Sequence, residues 1–228
     1  MWAPRPDPIG LRRFASTRAL SCVELIVGTL IVLGHNVVRV LPNEVPILVV
    51  IGVLSFRLRD GGWSAMGFRR PHSWPRLLGI AIAAAVIALL VGELIVGPIA
   101  HNFWPSPKMP GMAADIPGNP RAALKALLIV WTFAAFGEEV AYRGYLLVRG
   151  ADLGARSTPA WWISMLFVSI LFGFGHYYKG PAGIVESTFS GLVLGSAYLL
   201  AGRNLWASVI THGLIDTAGV AALFFGLS

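Results

Sequence analysis

Two adjacent glutamates and an arginine, Glu138, Glu139 and Arg143, stand inside the apolar run TFAAFGEEVAYRGYLLV. Further along, LFGFGHYY places His176 four residues after Phe172, and LWASVITHGLIDTAGV places His212 four residues before Asp216. Residues four apart on a helix share a face, so each segment presents its pair on one side. Glu139 and Arg143 have the favourable order for an intrahelical ion pair, acid first. Glu138 is turned about 100° from Glu139 and has only Tyr142 within its own turn. An unpaired carboxylate, two histidines and a further acid suit peptide hydrolysis. That reaction needs a base for water, a stabiliser for the oxyanion and a proton donor for the leaving amine. Glu138 can take the proton from water and pass it on, and His176 can hold that water from the other side. His212 and Asp216 can serve the tetrahedral oxygen.

Each pattern alone has a plainer use. EExxxR is common on exposed faces of soluble helices, and a lone intramembrane histidine or aspartate usually bonds a neighbouring helix. The setting separates the readings. Leu127 to Trp131 precede the acids and Tyr145 to Val148 follow them. A charge at mid-bilayer costs about 2.5–3.5 kcal/mol, so these groups need partners or a purpose. They come from three separate apolar segments of a chain with only 5 histidines. The reading is therefore convergence on one buried site. The other histidines, His35, His72 and His101, fall at helix ends or in loops.

The elements that must position these residues are membrane helices. Mean hydropathy is +0.70, and 13% of residues are charged, against about 25% in a soluble domain. At about 20 apolar residues per crossing, spans fall near 19–40, 45–57, 76–100, 122–149, 158–178, 182–201 and 205–227. The expectation is an all-α polytopic bundle of six to eight transmembrane helices, one integral domain over 1–228, with a catalytic cavity among the core helices. The net charge of +7 forms no basic helix face or tail, so a nucleic-acid partner is not expected. The bilayer and a protein or peptide substrate are. Cys22, the single cysteine, excludes an intramolecular disulfide and reads as a packing residue.

Arginine placement orients the chain. Arg5, Arg12, Arg13 and Arg18 precede the first span, and Arg57, Arg59, Arg69, Arg70 and Arg76 lie between the second and third. Arg149 and Arg156 follow the fourth, and Arg203 follows the sixth. Seven crossings put these clusters on one side, cytoplasmic by the positive-inside rule. Residues 1–18 then read as a cytoplasmic segment leading into a signal anchor. Glu24 reads as snorkelling to that surface, and Glu186 as interfacial at a cavity mouth. Glu93 lies deeper with no role assigned. By helical rise, His176 lies about 30 Å beyond Arg156 and Glu138 about 16 Å from Arg149. For the two to meet, the fourth helix must be long and a neighbour tilted.

The ordered trio, Glu138-Glu139-x3-Arg143, Phe172-x3-His176 and His212-x3-Asp216, resembles the CPBP family. That family holds the type II CAAX prenyl endopeptidases and bacterial relatives linked to bacteriocin processing or immunity. MGFRRPHSW also resembles the basic connection that often precedes the family's core, so the resemblance covers about residues 60–220. It implies an integral multi-pass protein of a bacterial plasma membrane that acts as an intramembrane endopeptidase. Glu138 and His176 would be the water-activating pair, with His212 and Asp216 opposite them. Glu139, Arg143 and Phe172 would support the site.

The third motif ends in Asn in many relatives and in Asp216 here. An ionised Asp cannot donate to an oxyanion. Asp216 must therefore be protonated, pair with His212, or bind a metal. Glu138, His176 and His212 would form a two-His, one-Glu set for a divalent metal, zinc first among them, with Asp216 orienting His212. There is no HExxH, and Ser190-Gly191 lacks the preceding GxS of a rhomboid-like nucleophile. A proton-coupled transporter and a non-enzymatic immunity or scaffold protein are the alternatives. The first would carry inverted repeats, and none is evident.

Overall fold

The computed structural model describes residues 18–105 and 112–227. The segment holding Arg5, Arg12 and Arg13, and Lys108 in the later connection, lie outside the described residues. Those residues form helices and no strand. We number the long helices α1 (Arg18–Asn36), α2 (Glu44–Arg59), α3 (Trp74–Phe103), α4 (120–153), α5 (Thr158–Phe174), α6 (Gly180–Leu200) and α7 (Leu205–Phe225). Each corresponds to one of the seven expected apolar spans. On length and composition, 4 are able to cross a membrane, namely α1, α3, α6 with the turn before it, and α7. α5 is apolar but has 17 residues, and α2 has 16. Among the described residues, length and composition alone thus account for 4 of the six to eight crossings expected.

Helix starts are written in the sequence. The side chains of Asn43, Ser73, Asn119 and Asn204 each accept from a backbone N–H of the turn they precede. That satisfies donors which have no intrahelical partner. Proline occupies the first turn of α3, α4, α5 and α6, where its missing N–H costs nothing.

α4 is the axis of the bundle. Every residue from Glu139 to Arg149 is buried, as in a helix enclosed on all sides. α1, α2, α5 and α7 pack around it. It continues to Leu153, four residues beyond the expected limit, which supplies the long fourth helix that the site required. Its middle, Val130–Glu138 and Val140–Leu146, is wound as π-helix, a form that recurs at functional sites. Hydropathy does not register this widening.

Small residues set the closest approaches. A side chain on Gly191 of α6 would come within 3.0 Å of the Ser169 backbone in α5, and one on Gly195 within 2.4 Å of Met165. The Gly191-x3-Gly195 stripe is thus a helix-packing seam. A side chain on Gly213 would overlap the Trp131 ring at 2.5 Å. Gly213 therefore lets α7 close on α4 beside His212.

Arg149 corrects the sequence reading most sharply. Expected as a surface orientation residue, it is 1% exposed. Its guanidinium meets Glu24 at 2.7 Å, Asp60 at 2.8 Å and Asp152 at 3.1 Å, and lies 4.0 Å over the Phe56 ring. Glu24 is not a snorkelling acid. It also accepts from Ser55 and Arg59. One network therefore ties α1, α2 and the end of α4. Removing one member of a buried charge network costs about 3–5 kcal/mol. Arg149→Ala should lower the melting temperature and yield in detergent well below those of Arg57→Ala, which removes an exposed arginine. Matching melting curves would show the network to be dispensable.

Candidate active site

The polar residues singled out in the sequence meet at the middle of α4. Glu139 is fully buried, and its Oε1 accepts from Arg143 Nη1 at 2.7 Å. The same oxygen lies 2.9 Å from His212 Nδ1 on α7, a cross-helix contact that spacing alone did not reveal. Arg143 Nη2 donates to the Gly191 carbonyl of α6 at 3.1 Å. Its Cζ stands 4.5 Å over the Phe172 ring of α5, a cation–π contact. Four helices are thereby fastened around one carboxylate oxygen.

His212 Nε2 faces Asp216 Oδ2 at 3.4 Å. Both ring nitrogens of His212 thus face carboxylates, and donating to each requires hydrogen on both. Asp216 takes the role of partner to His212 among those the sequence left open. His176 lies in the turn just beyond α5, where its Nδ1 donates to the Phe172 carbonyl at 3.0 Å. That bond places the lone pair on Nε2. Its ring packs on Phe172 with centroids 4.7 Å apart, and Phe172 meets His212 edge-on at 6.1 Å. Phe172 is therefore the spacer that holds the two histidines apart.

Glu138 differs from its neighbour. It makes no hydrogen bond or ion pair among the described residues; its Oε2, like that of Glu139, is buried without a partner. No direct hydrogen bond joins it to His176. The expected pair is brought to one region but is not bonded.

Two residues of this region were not picked out by spacing. Tyr142, 1% exposed, packs edge-on against Phe172 and donates to Glu44 Oε1 at 3.4 Å. Glu44 is buried at the start of α2, with His35 Nε2 3.5 Å from its other oxygen. A glutamate in a connection carries no sequence signal of burial, because only the packing of α2 on α4 encloses it.

Residues 120–218 match the family described as type II CAAX prenyl endopeptidase Rce1-like. The matched segment belongs to the CPBP/CAAX protease family. It runs from the start of α4 into α7, covers less than half of the chain, and contains every site residue from Glu138 to Asp216. No curated protein and no solved structure matches the chain. The apolar helices and this match together point to an integral membrane protein similar to that endopeptidase family.

The site does not, as arranged, fit the metal set expected from Glu138, His176 and His212. Each nitrogen of His212 faces a carboxylate, so one of these contacts would have to open for His212 to ligate a metal. Among the described residues, no group of three or more His, Cys, Asp or Glu is placed to hold a metal ion. A cleft of about 570 Å³ between α3, α6 and α7 is lined by Glu93, His101, Lys179, Glu186 and Asp216 among others. It reaches the site at Asp216, while Glu138 and His176 are not among its walls. Glu186 is paired with His101 at 2.8 Å.

Removing Arg143 would leave Glu139 buried without its ion pair, at a cost of about 3–5 kcal/mol. Arg143→Ala should reduce folded yield and melting temperature in detergent far more than Arg57→Ala. Equal yields for the two would show that His212 alone satisfies Glu139.

Proposed function

We propose that the chain is an intramembrane endopeptidase that hydrolyses peptide bonds of membrane-associated protein or peptide substrates through water activated by Glu138. The observation that carries this reading is the contrast within the glutamate pair. Glu139 is engaged through Oε1 with Arg143 and His212, whereas Glu138 has neither oxygen in a hydrogen bond or ion pair among the described residues; the Oε2 atoms of both acids are buried without a partner. A carboxylate kept out of the ion-pair network is available as a general base.

In this mechanism Glu138 accepts a proton from water held between it and the free Nε2 of His176. The oxygen attacks the scissile carbonyl, and the tetrahedral oxyanion is received by the Nε2–H of His212. The long 3.4 Å contact of that nitrogen with Asp216 leaves it the easier one to redirect. Glu138 then delivers its proton to the leaving amine. Glu139, Arg143 and Phe172 hold the α4, α5 and α7 groups in register. No step passes through a metal, because His212 is already engaged on both sides. The seven helices are proposed as the crossings, with α2 and α5 as short ones, and the N-terminus in the cytoplasm of a bacterium.

The test is proteolysis of a peptide library by protein purified in detergent, with metal content measured on the same sample. Glu138→Gln and His176→Ala should each abolish cleavage while leaving the melting curve near that of the wild type. Full activity in either would refute the water-activating pair. Asp216→Asn should lower kcat about 10–100-fold, as expected for losing a charge-assisted hydrogen bond. Undiminished turnover in that variant would show that Asp216 does not orient His212.

A further inference from the structure

The basic connection before α3 builds a second site that proteolysis does not use. Residues 60–73 dock on the turn between α6 and α7. The Gly67 carbonyl accepts from Leu205 N–H at 3.0 Å, and Asn204 Nδ2 donates to the Arg69 carbonyl at 2.9 Å. Arg69 donates to the carbonyls of Gly202 and Arg203. Gly67 has φ +108°, and a Cβ there would lie 2.9 Å from the Arg203 carbonyl oxygen. The docking thus depends on glycine at this position.

Between the docked strap and the helices lies a pocket of about 460 Å³. Its polar wall carries Arg69, Arg70, His72, Ser73 and Arg76, and no acid lines it. Arg69 is spent on the turn. Arg70 and Arg76 are exposed and make no ion pair among the described residues. The start of α3, capped by Ser73, adds the positive end of a helix dipole. The opposite wall is apolar, formed by Leu77, Ile80 and Leu200. Outside the pocket the apolar surface continues along α3 with Trp74, Leu78 and Ile82 at 45%, 40% and 53% exposure. A tryptophan at such a border is a membrane-interface residue.

We infer that this pocket binds an anionic membrane phospholipid, with its phosphate between Arg70 and Arg76 and its acyl chains along Leu77, Ile80 and Leu200. A free phosphate would use the same arginines but not the apolar wall. The lipid matches both walls, and basic pockets between membrane helices are built for such headgroups. Occupancy would hold the strap onto the turn that starts α7, two helical turns before His212.

The test is lipid retention by the full chain in detergent, read by native mass spectrometry with phosphatidylglycerol and phosphatidylcholine as probes. The wild type should retain phosphatidylglycerol in preference. Arg70→Gln and Arg76→Gln should each lower that retention about fivefold, the effect of one arginine near an anionic headgroup. Arg57→Gln, which removes one charge from an exposed arginine outside the pocket, should leave it unchanged. Should a glutamine variant fold poorly, Leu200→Glu, an acid at an exposed pocket wall, should reduce retention in its place. Equal retention by wild type and the pocket variants, or an equal loss in Arg57→Gln, overturns the site. Inorganic phosphate should not raise the melting temperature. A rise equal to that given by phosphatidylglycerol would assign the pocket to free phosphate and overturn the lipid.

Discussion

A single carboxylate oxygen, Glu139 Oε1, accepts from α4 and faces the imidazole of α7 at the same time. In an apolar bundle such a charge is costly unless paired. That cost dictates much of what surrounds it. Arg143 must be within reach on the same helix. Its remaining donor must find an acceptor, which the glycine backbone of α6 supplies at Gly191. The guanidinium face must be covered, which Phe172 of α5 does. Once these are in place, Phe172 also fixes where His176 and His212 stand.

The close contacts that let this happen are made by residues without side chains. Gly191 allows α6 to reach α5, and Gly213 allows α7 to settle on Trp131, whose Nε1 donates to Thr217 at 3.1 Å. A methyl group at Gly213 would overlap the Trp131 ring, and one at Gly191 would force its Ser169 neighbour to give by a few tenths of an ångström. At the other end of α4, Arg149 plays the part that Arg143 plays at the site, drawing Glu24, Asp60 and Asp152 around a buried guanidinium. The axial helix is thus pinned by two buried arginines, Arg143 and Arg149, both within the enclosed stretch Glu139 to Arg149. That arrangement holds Glu138 beside the network without making it a member.

The π-wound middle of α4 places adjacent residues differently from an ordinary helix. Glu138 ends the first such stretch, and Glu139 is the single residue between the two. One acid is directed to α7 and the other is left unbonded. The division of labour between them depends on this local winding as much as on the ion pair.

The sequence alone determined the class of molecule, the positions of its helices and the identities of the polar residues that gather. Those follow from local properties: apolar runs long enough for a bilayer, caps at Asn43, Ser73, Asn119 and Asn204, and polar groups too costly in lipid to be incidental. The Glu139–Arg143 pair was legible because four-residue spacing fixes it within one helix. The tertiary structure alone decided that His212 joins Glu139, that Glu44 reaches Tyr142 and that Arg149 is buried, because each contact links helices whose approach no sequence spacing encodes. It also decided how His212 is engaged: a histidine's residue type permits ligation, but only its neighbours determine which groups its nitrogens face. The cleft at Asp216 likewise follows from how α3, α6 and α7 pack, which hydropathy does not specify.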